Sequence, residues 1–240
     1  MPIKHVYLSP HLDDAALSCG GMIHQQTQSG ERVLVVTICA GDAPPGPLSA
    51  FAQSLHERWQ TPANAVALRR AEDLAALKIL GAEAVHLNVP DCIYRGKADE
   101  HWYASESAIF GEAHPAEAEL IGRLAEQLRE LGPGRVYAPC GLGHHVDHQL
   151  TRRAAERAGT VYTYYEDYPY AERESVADGF HAETIRLAPE NVAAKARAIA
   201  EYKSQISSFW LSSEEMDKAI HDFVRRVGGG IWAERIWHLP

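Results

Sequence analysis

Short apolar runs that alternate with helix-period stretches constrain this chain more than any other feature. The runs lie at residues 6–8, 32–39, 84–89, 135–138 and 160–165. The second, Arg32-Val33-Leu34-Val35-Val36-Thr37-Ile38-Cys39, is rich in β-branched residues and reads as a buried strand. Residues 14–29, 64–80, 115–131 and 146–158 read as the intervening helices. Gly30 ends the first, and Gly81 caps the second. Leu120, Leu124 and Leu128 lie four apart in the third. Strand–helix alternation of this kind predicts an α/β, Rossmann-like, mostly parallel sheet with helices on both faces. At 240 residues the chain suits one domain, residues 1–240. Two further helices are expected at 189–206 and 213–227, ahead of Gly228-Gly229-Gly230. The connections 41–62 and 91–114 read as long and structureless. Loops of that length wall or cover a site, or join copies of the chain in a homo-oligomer.

Every predicted parallel strand ends at residues that carry chemistry. His11, Asp13 and Asp14 follow the first, Gly41-Asp42 the second, Pro90-Asp91 the third, and His144-His145-Val146-Asp147-His148 the fourth. Open α/β sheets bind ligands at these carboxyl ends. A histidine with two adjacent carboxylates is poor for stability there, because burying an unpaired carboxylate costs several kcal/mol. Capping of the first helix explains one of the two aspartates but not both together with His11. Gly20 and Gly21 lie inside that helix, where each costs about 1 kcal/mol relative to Ala, which predicts close backbone packing near the site. The second cluster allows two registers. His144 and His148 share a zincin-like spacing, but His145 stands where that motif needs Glu. In the other register His145 and His148 share a helical face, and Asp147 can reach an imidazole N–H. Together the clusters supply a metal-binding set with a spare carboxylate and a spare imidazole, the inventory of a metal-dependent hydrolase.

Several function classes are disfavoured. A formal net charge of -9 argues against a nucleic-acid-binding surface. No segment approaches the ~18 consecutive apolar residues of a membrane span, and no signal peptide is expected ahead of the first strand. Cys19, Cys39, Cys92 and Cys140 are widely spaced, which predicts reduced thiols and a cytoplasmic location. A dinucleotide site would need Gly-x-Gly-x-x-Gly after the first strand, and none is there.

The Pro-His-x-Asp-Asp-x-x-Leu-x-x-Gly-Gly pattern at residues 10–21, with the later His-x-Asp-His, resembles the PIG-L/LmbE family of metal-dependent de-N-acetylases. Arg69-Arg70-Ala71-Glu72 ahead of Leu80-Gly81, Val89-Pro90-Asp91 and Tyr202-Lys203-Ser204-Gln205 resemble further family elements. The resemblance implies that His11, Asp14 and His148 bind zinc (Zn2+) and that Asp13 is the general base. It implies that His145 stabilises the oxyanion or acts as an acid, with Asp147 orienting it. Arg69 and Asp91 match positions that contact sugar hydroxyls. Leu12, Ala15 and Val146 depart from the commoner family residues and leave the substrate open.

The expected reaction is hydrolysis of an N-acetyl or other N-acyl amide on an amino sugar or sugar conjugate, a small-molecule N-acetylated substrate. Asp13 or His145 then protonates the departing amine. A 2-His-1-carboxylate set suits iron(II) (Fe2+) as well as zinc. The alternatives are an amidase acting on a thiol conjugate or secondary metabolite, and a metal-binding protein without turnover. The second carboxylate, Asp13, argues against a pure binder.

Overall fold

The structure, a computed structural model, describes residues 1–61, 65–97, 100–132 and 134–239. The elements run β1 (His5–Ser9), α1 (Asp14–Gln28), β2 (Val33–Thr37), α2 (Ala50–Arg58), α3 (Ala65–Leu80) and β3 (Glu83–His86). Then come β4 (Gly96–Lys97), β5 (Glu100–His101), α4 (Glu106–Ile109), α5 (Ala118–Arg129), β6 (Arg135–Pro139), α6 (Val146–Ala158) and β7 (Val161–Tyr165). The last are β8 (His181–Arg186), α7 (Pro189–Ile199), α8 (Lys203–Phe209), α9 (Ser213–Val227) and β9 (Ala233–His238).

One seven-stranded sheet has the order β3-β2-β1-β6-β7-β9-β8. Its first five strands are parallel, and β9 runs antiparallel to both neighbours. The five residues of β1 are all buried and alternate between faces. Val6 and Leu8 join the core under α5 and α6, whereas Tyr7 joins the core under α1 and α3. Helices therefore cover both faces of the parallel strands, as the alternation predicts. The chain leaves β1 outward to β2 and β3, then crosses back to β6 on the other side. The crevice between the carboxyl ends of β1 and β6 is thus the topological switch point, where such sheets place ligands.

Several expectations need correction. The third strand ends at His86, not Val89, and beyond it only isolated bridges continue, Cys39 to Asn88 and Gly41 to Pro90. The connection 41–62 is not structureless, because it holds α2, capped by the Ser49 side chain. The connection 91–114 holds the β4–β5 hairpin, a short turn at Cys92–Tyr94 and α4. Pro115–Glu117 forms a tight 3-10 turn ahead of α5. The expected helix at 189–206 breaks into α7 and α8 around Tyr202, whose hydroxyl donates to Asp73 of α3. Strands β8 and β9 have no counterpart in the sequence reading, since β8 is largely exposed and lacks an apolar run. Pro62 and Asn64, expected at a loop end and a helix start, lie outside the described residues.

Candidate active site

The turn after β1 is fixed by Ser9, whose hydroxyl donates to the His11 carbonyl at 2.6 Å and accepts the Ala15 N–H at 3.0 Å. This turn points His11, Asp13 and Asp14 into the crevice, all buried. Asp13 occupies the cap position of α1 but makes no cap hydrogen bond with its side chain. Asp14 Oδ2 instead accepts the His11 N–H at 2.8 Å. The same oxygen lies 3.1 Å from His11 Nδ1 and 3.4 Å from His148 Nε2. Both imidazoles thus meet Asp14 Oδ2, while the nitrogens of His11, His145 and His148 lie within 4.8 Å of one another. His145 joins them, with its ring 4.8 Å from that of His11. His144 does not. It is mostly exposed and pairs with Glu174 at 3.2 Å.

A layer of partners holds the imidazoles. His148 Nδ1 lies 2.6 Å from Asp167 Oδ1, and the other Asp167 oxygen accepts the N–H groups of Gly141 and Leu142. Asp147 Oδ2 lies 2.9 Å from His11 Nε2 and accepts the Cys92 N–H at 3.0 Å, while Oδ1 pairs with Arg95 Nη1 at 2.6 Å. The expectation that Asp147 orients His145 is therefore corrected. The Arg95 guanidinium and the Cys92 N–H hold its carboxylate against His11 instead. What His145 receives from Asp147 is the backbone N–H, which donates to Nδ1 at 3.2 Å and caps α6. Gly143 lets this loop approach Tyr170, since a Cβ there would fall 2.5 Å from the Tyr170 ring.

Arg69 and Asp91 also face the site. Arg69 is buried over the Trp59 ring, with Nη1 3.6 Å from Asp91 and Nη2 3.9 Å from Asp13. It forms no surface pair with Glu72, which accepts from Ser204 instead. Gly20 and Gly21 do permit close packing, but against Lys195, Leu187 and Glu234 rather than against these groups.

The electrostatics show what the cluster can hold. Burial and the adjacent Asp14 charge push the Asp13 carboxyl up to about 6. Burial alone would raise Asp14, but the His148 charge and the His11 hydrogen bond hold it well below the usual carboxylate range. Burial likewise disfavours charge on His11 and His148, yet the carboxylates overrule it. His11 moves well above its ordinary value, and His148 rises to about 9. Protons on these two rings stand where a divalent cation would neutralise Asp14. Nitrogen and oxygen donors arranged in this way fit a zinc-class ion. His145 differs, because burial and the neighbouring His11 hold it well below the ordinary imidazole value.

The PIG-L family, described as GlcNAc-PI de-N-acetylase, matches residues 6–159, the stretch from β1 through α6 that carries both clusters. The chain belongs to the PIG-L family. A 2'-N-acetylparomamine deacetylase of Streptomyces fradiae is 33% identical over 182 residues, 73% of this PIG-L chain. The alignment spans 60% of that relative's length. One of the same description from Niallia circulans is 26% identical over 95% of this chain and 87% of its own. The zinc-inhibited form of teicoplanin deacetylase Orf2 superposes with a TM-score of 0.85 at 33% identity, covering 98% of this chain and 97% of that one.

Sequence reasoning missed Asp167 and Arg95. Asp167 does follow the carboxyl end of β7, so the rule that flagged the other strand ends applies to it as well. Arg95 carried no comparable signal.

Proposed function

We propose that this chain is a single-domain, metal-dependent hydrolase that removes an N-acetyl group from an amino sugar borne on a bulky, partly apolar conjugate. The observation that carries the chemistry is Asp13, a buried carboxylate beside Asp14 that serves no cap and lines the cavity. A pure metal binder needs no such group. His11, Asp14 and His148 would hold the ion, with zinc proposed and iron(II) compatible with the same donors. When bound, the ion would polarise the amide carbonyl and acidify a water.

The remaining work falls to side chains. Asp13 takes the proton of the attacking water. In the metal-free fold its carboxyl is raised to about 6 by burial and Asp14, the direction that makes a carboxylate a better base. Nδ1 of His145 accepts the Asp147 N–H, so the neutral ring carries its proton on Nε2. His145 is then an N–H donor to the developing oxyanion rather than an imidazolium. Return of the proton to the leaving amine falls to Asp13. Arg69 and Asp91, beside Asp13 and His11, hold sugar hydroxyls.

A cavity of about 430 Å³ adjoins these groups, with Phe51, Trp59, Phe110, Tyr170, Phe209 and Trp210 among its lining residues. Aromatic faces suit a sugar ring and an apolar substituent. The four free, buried cysteines fit a reducing, cytoplasmic setting.

The test is Asp13→Asn, assayed for free amine on N-acetylglucosamine, its alkyl and aryl glycosides, and 2'-N-acetylparomamine. Turnover should fall by about 10²–10⁴-fold with metal retained. Unchanged turnover would remove the mechanism, and lost metal would exchange the roles of the two aspartates. Preference for the free monosaccharide over its aryl glycosides would remove the conjugate reading.

A further inference from the structure

We propose that Gln205 accepts the N–H of the scissile amide, and that Glu72, through Ser204, orients it to do so. Gln205 is buried and lines the cavity together with Asp13, and both also line a narrow cleft beside it. Its Nε2 donates to Ser204 Oγ at 3.0 Å. The Ser204 hydroxyl donates in turn to Glu72 Oε2 at 2.6 Å, and the Ser204 N–H donates to Glu72 Oε1 at 2.9 Å. A carboxylate only accepts, so the serine proton is committed to Glu72 and the serine oxygen receives from Gln205. The Gln205 amide is thereby fixed with its NH2 on Ser204 and its Oε1 unspent. Among the described residues that oxygen has no hydrogen-bond partner.

Two adjacent carboxylates of α3 hold the start of α8. Tyr202, at its cap, donates to Asp73 Oδ1 at 2.8 Å, and Ser204, in its first turn, is held by Glu72. An acceptor near Asp13 has a use in the hydrolysis proposed above, on which this inference rests. As water adds to the carbonyl, the nitrogen becomes pyramidal and keeps its hydrogen. The C–N bond then breaks, its electron pair stays on nitrogen, and that pair takes the proton from Asp13. The transfer requires the pair to face Asp13. A hydrogen bond from the N–H to Gln205 Oε1 holds the nitrogen in that sense as the transition state forms. An ester has no such hydrogen, so the contact discriminates amides from esters.

The test is acetate release from phenyl N-acetylglucosaminide and from phenyl 2-O-acetylglucoside, its ester counterpart. Gln205→Met keeps the bulk and removes the acceptor. It should lower kcat on the amide by about 10–100-fold at unchanged KM, the cost of an unpaired N–H, and change the ester by less than about threefold. Glu72→Gln should give the same amide-selective loss from outside the cavity. The new amide there donates to Ser204 Oγ, the serine proton turns to Gln205, and Gln205 presents NH2 in place of its oxygen. Equal losses on both substrates, or no loss on the amide, would overturn the proposal. Where the wild type takes only the amide, the kcat loss at unchanged KM in both variants supports it, and a rise in KM alone overturns it. A wild-type enzyme that hydrolyses neither substrate would instead remove the hydrolase reading, and this contact with it. If Gln205→Met fails to fold, Glu72→Gln carries the same comparison.

Discussion

Two regions of this molecule bury charge, and they do so in opposite ways. Beneath α1, Glu234 and Lys195 are 2% and 1% exposed. Their ion pair is 2.7 Å long. Glu234 also accepts the Gly21 and Met22 N–H groups, and Lys195 donates to the Ser18 carbonyl. Every charge there has its partner within the chain. At the strand ends Asp13, Asp14, Asp91, Asp147 and Asp167 are also buried, and among the described residues Arg69 and Arg95 are the arginines facing Asp13, Asp91 and Asp147. Arg95 is shared further with Glu117. Surplus negative charge there is offset by protons on His11 and His148. A matched pair is architecture, whereas an unmatched cluster is a place for a cation.

The largest effect expected from this contrast lies in the matched region. Glu234→Gln leaves Lys195 buried without its counter-charge and should destabilise the fold by about 3–5 kcal/mol in chemical denaturation. Metal content and turnover per folded molecule should not change. The double change Lys195→Met, Glu234→Leu should recover most of the loss. Altered metal binding in the single variant would show that the two regions are not separable.

The contrast also explains what the sequence disclosed. His11, Asp13 and Asp14 stand in one run after an apolar strand, and His145, Asp147 and His148 in another, so local spacing revealed both. Their partners arrive by tertiary contact. Asp167 reaches His148 across nineteen positions, and Glu234 reaches Lys195 across thirty-nine. No local pattern encodes such meetings. Strands β1, β2, β6 and β7 were legible because burial on both faces demands apolar runs, whereas the largely uncovered edge strand β3 showed only through Val85, Leu87 and Val89. Strand β8, with residues His181, Glu183 and Arg186, was not, because its side chains remain largely in solvent.

Next in size is Asp167→Asn. The amide can still accept the Gly141 and Leu142 N–H groups, but it no longer presents a carboxylate to His148. Metal affinity measured by competition should weaken about 10–100-fold. Unchanged affinity would make Asp167 a loop anchor only.

The smallest effect is a pH-dependent one in the metal-free protein. The Asp13 carboxyl titrates near 6 in the fold, against 3.8 as its ordinary value. The folded state therefore binds its proton more tightly. Its contribution to stability is present below about pH 4 and lost as pH rises through about 6. Asp13→Asn should therefore raise metal-free stability at neutral pH. Thermal unfolding should show the gap closing below about pH 4, and a gap independent of pH would contradict the unmatched-charge account.

Metal retention tests that account most directly. Wild-type protein, His144→Ala and His148→Ala are each loaded with one equivalent of zinc, dialysed against a weak chelator, and measured for bound metal. Wild type and His144→Ala should keep one ion per chain, and His148→Ala should lose it. Retention by His148→Ala with loss in His144→Ala would contradict the site described here.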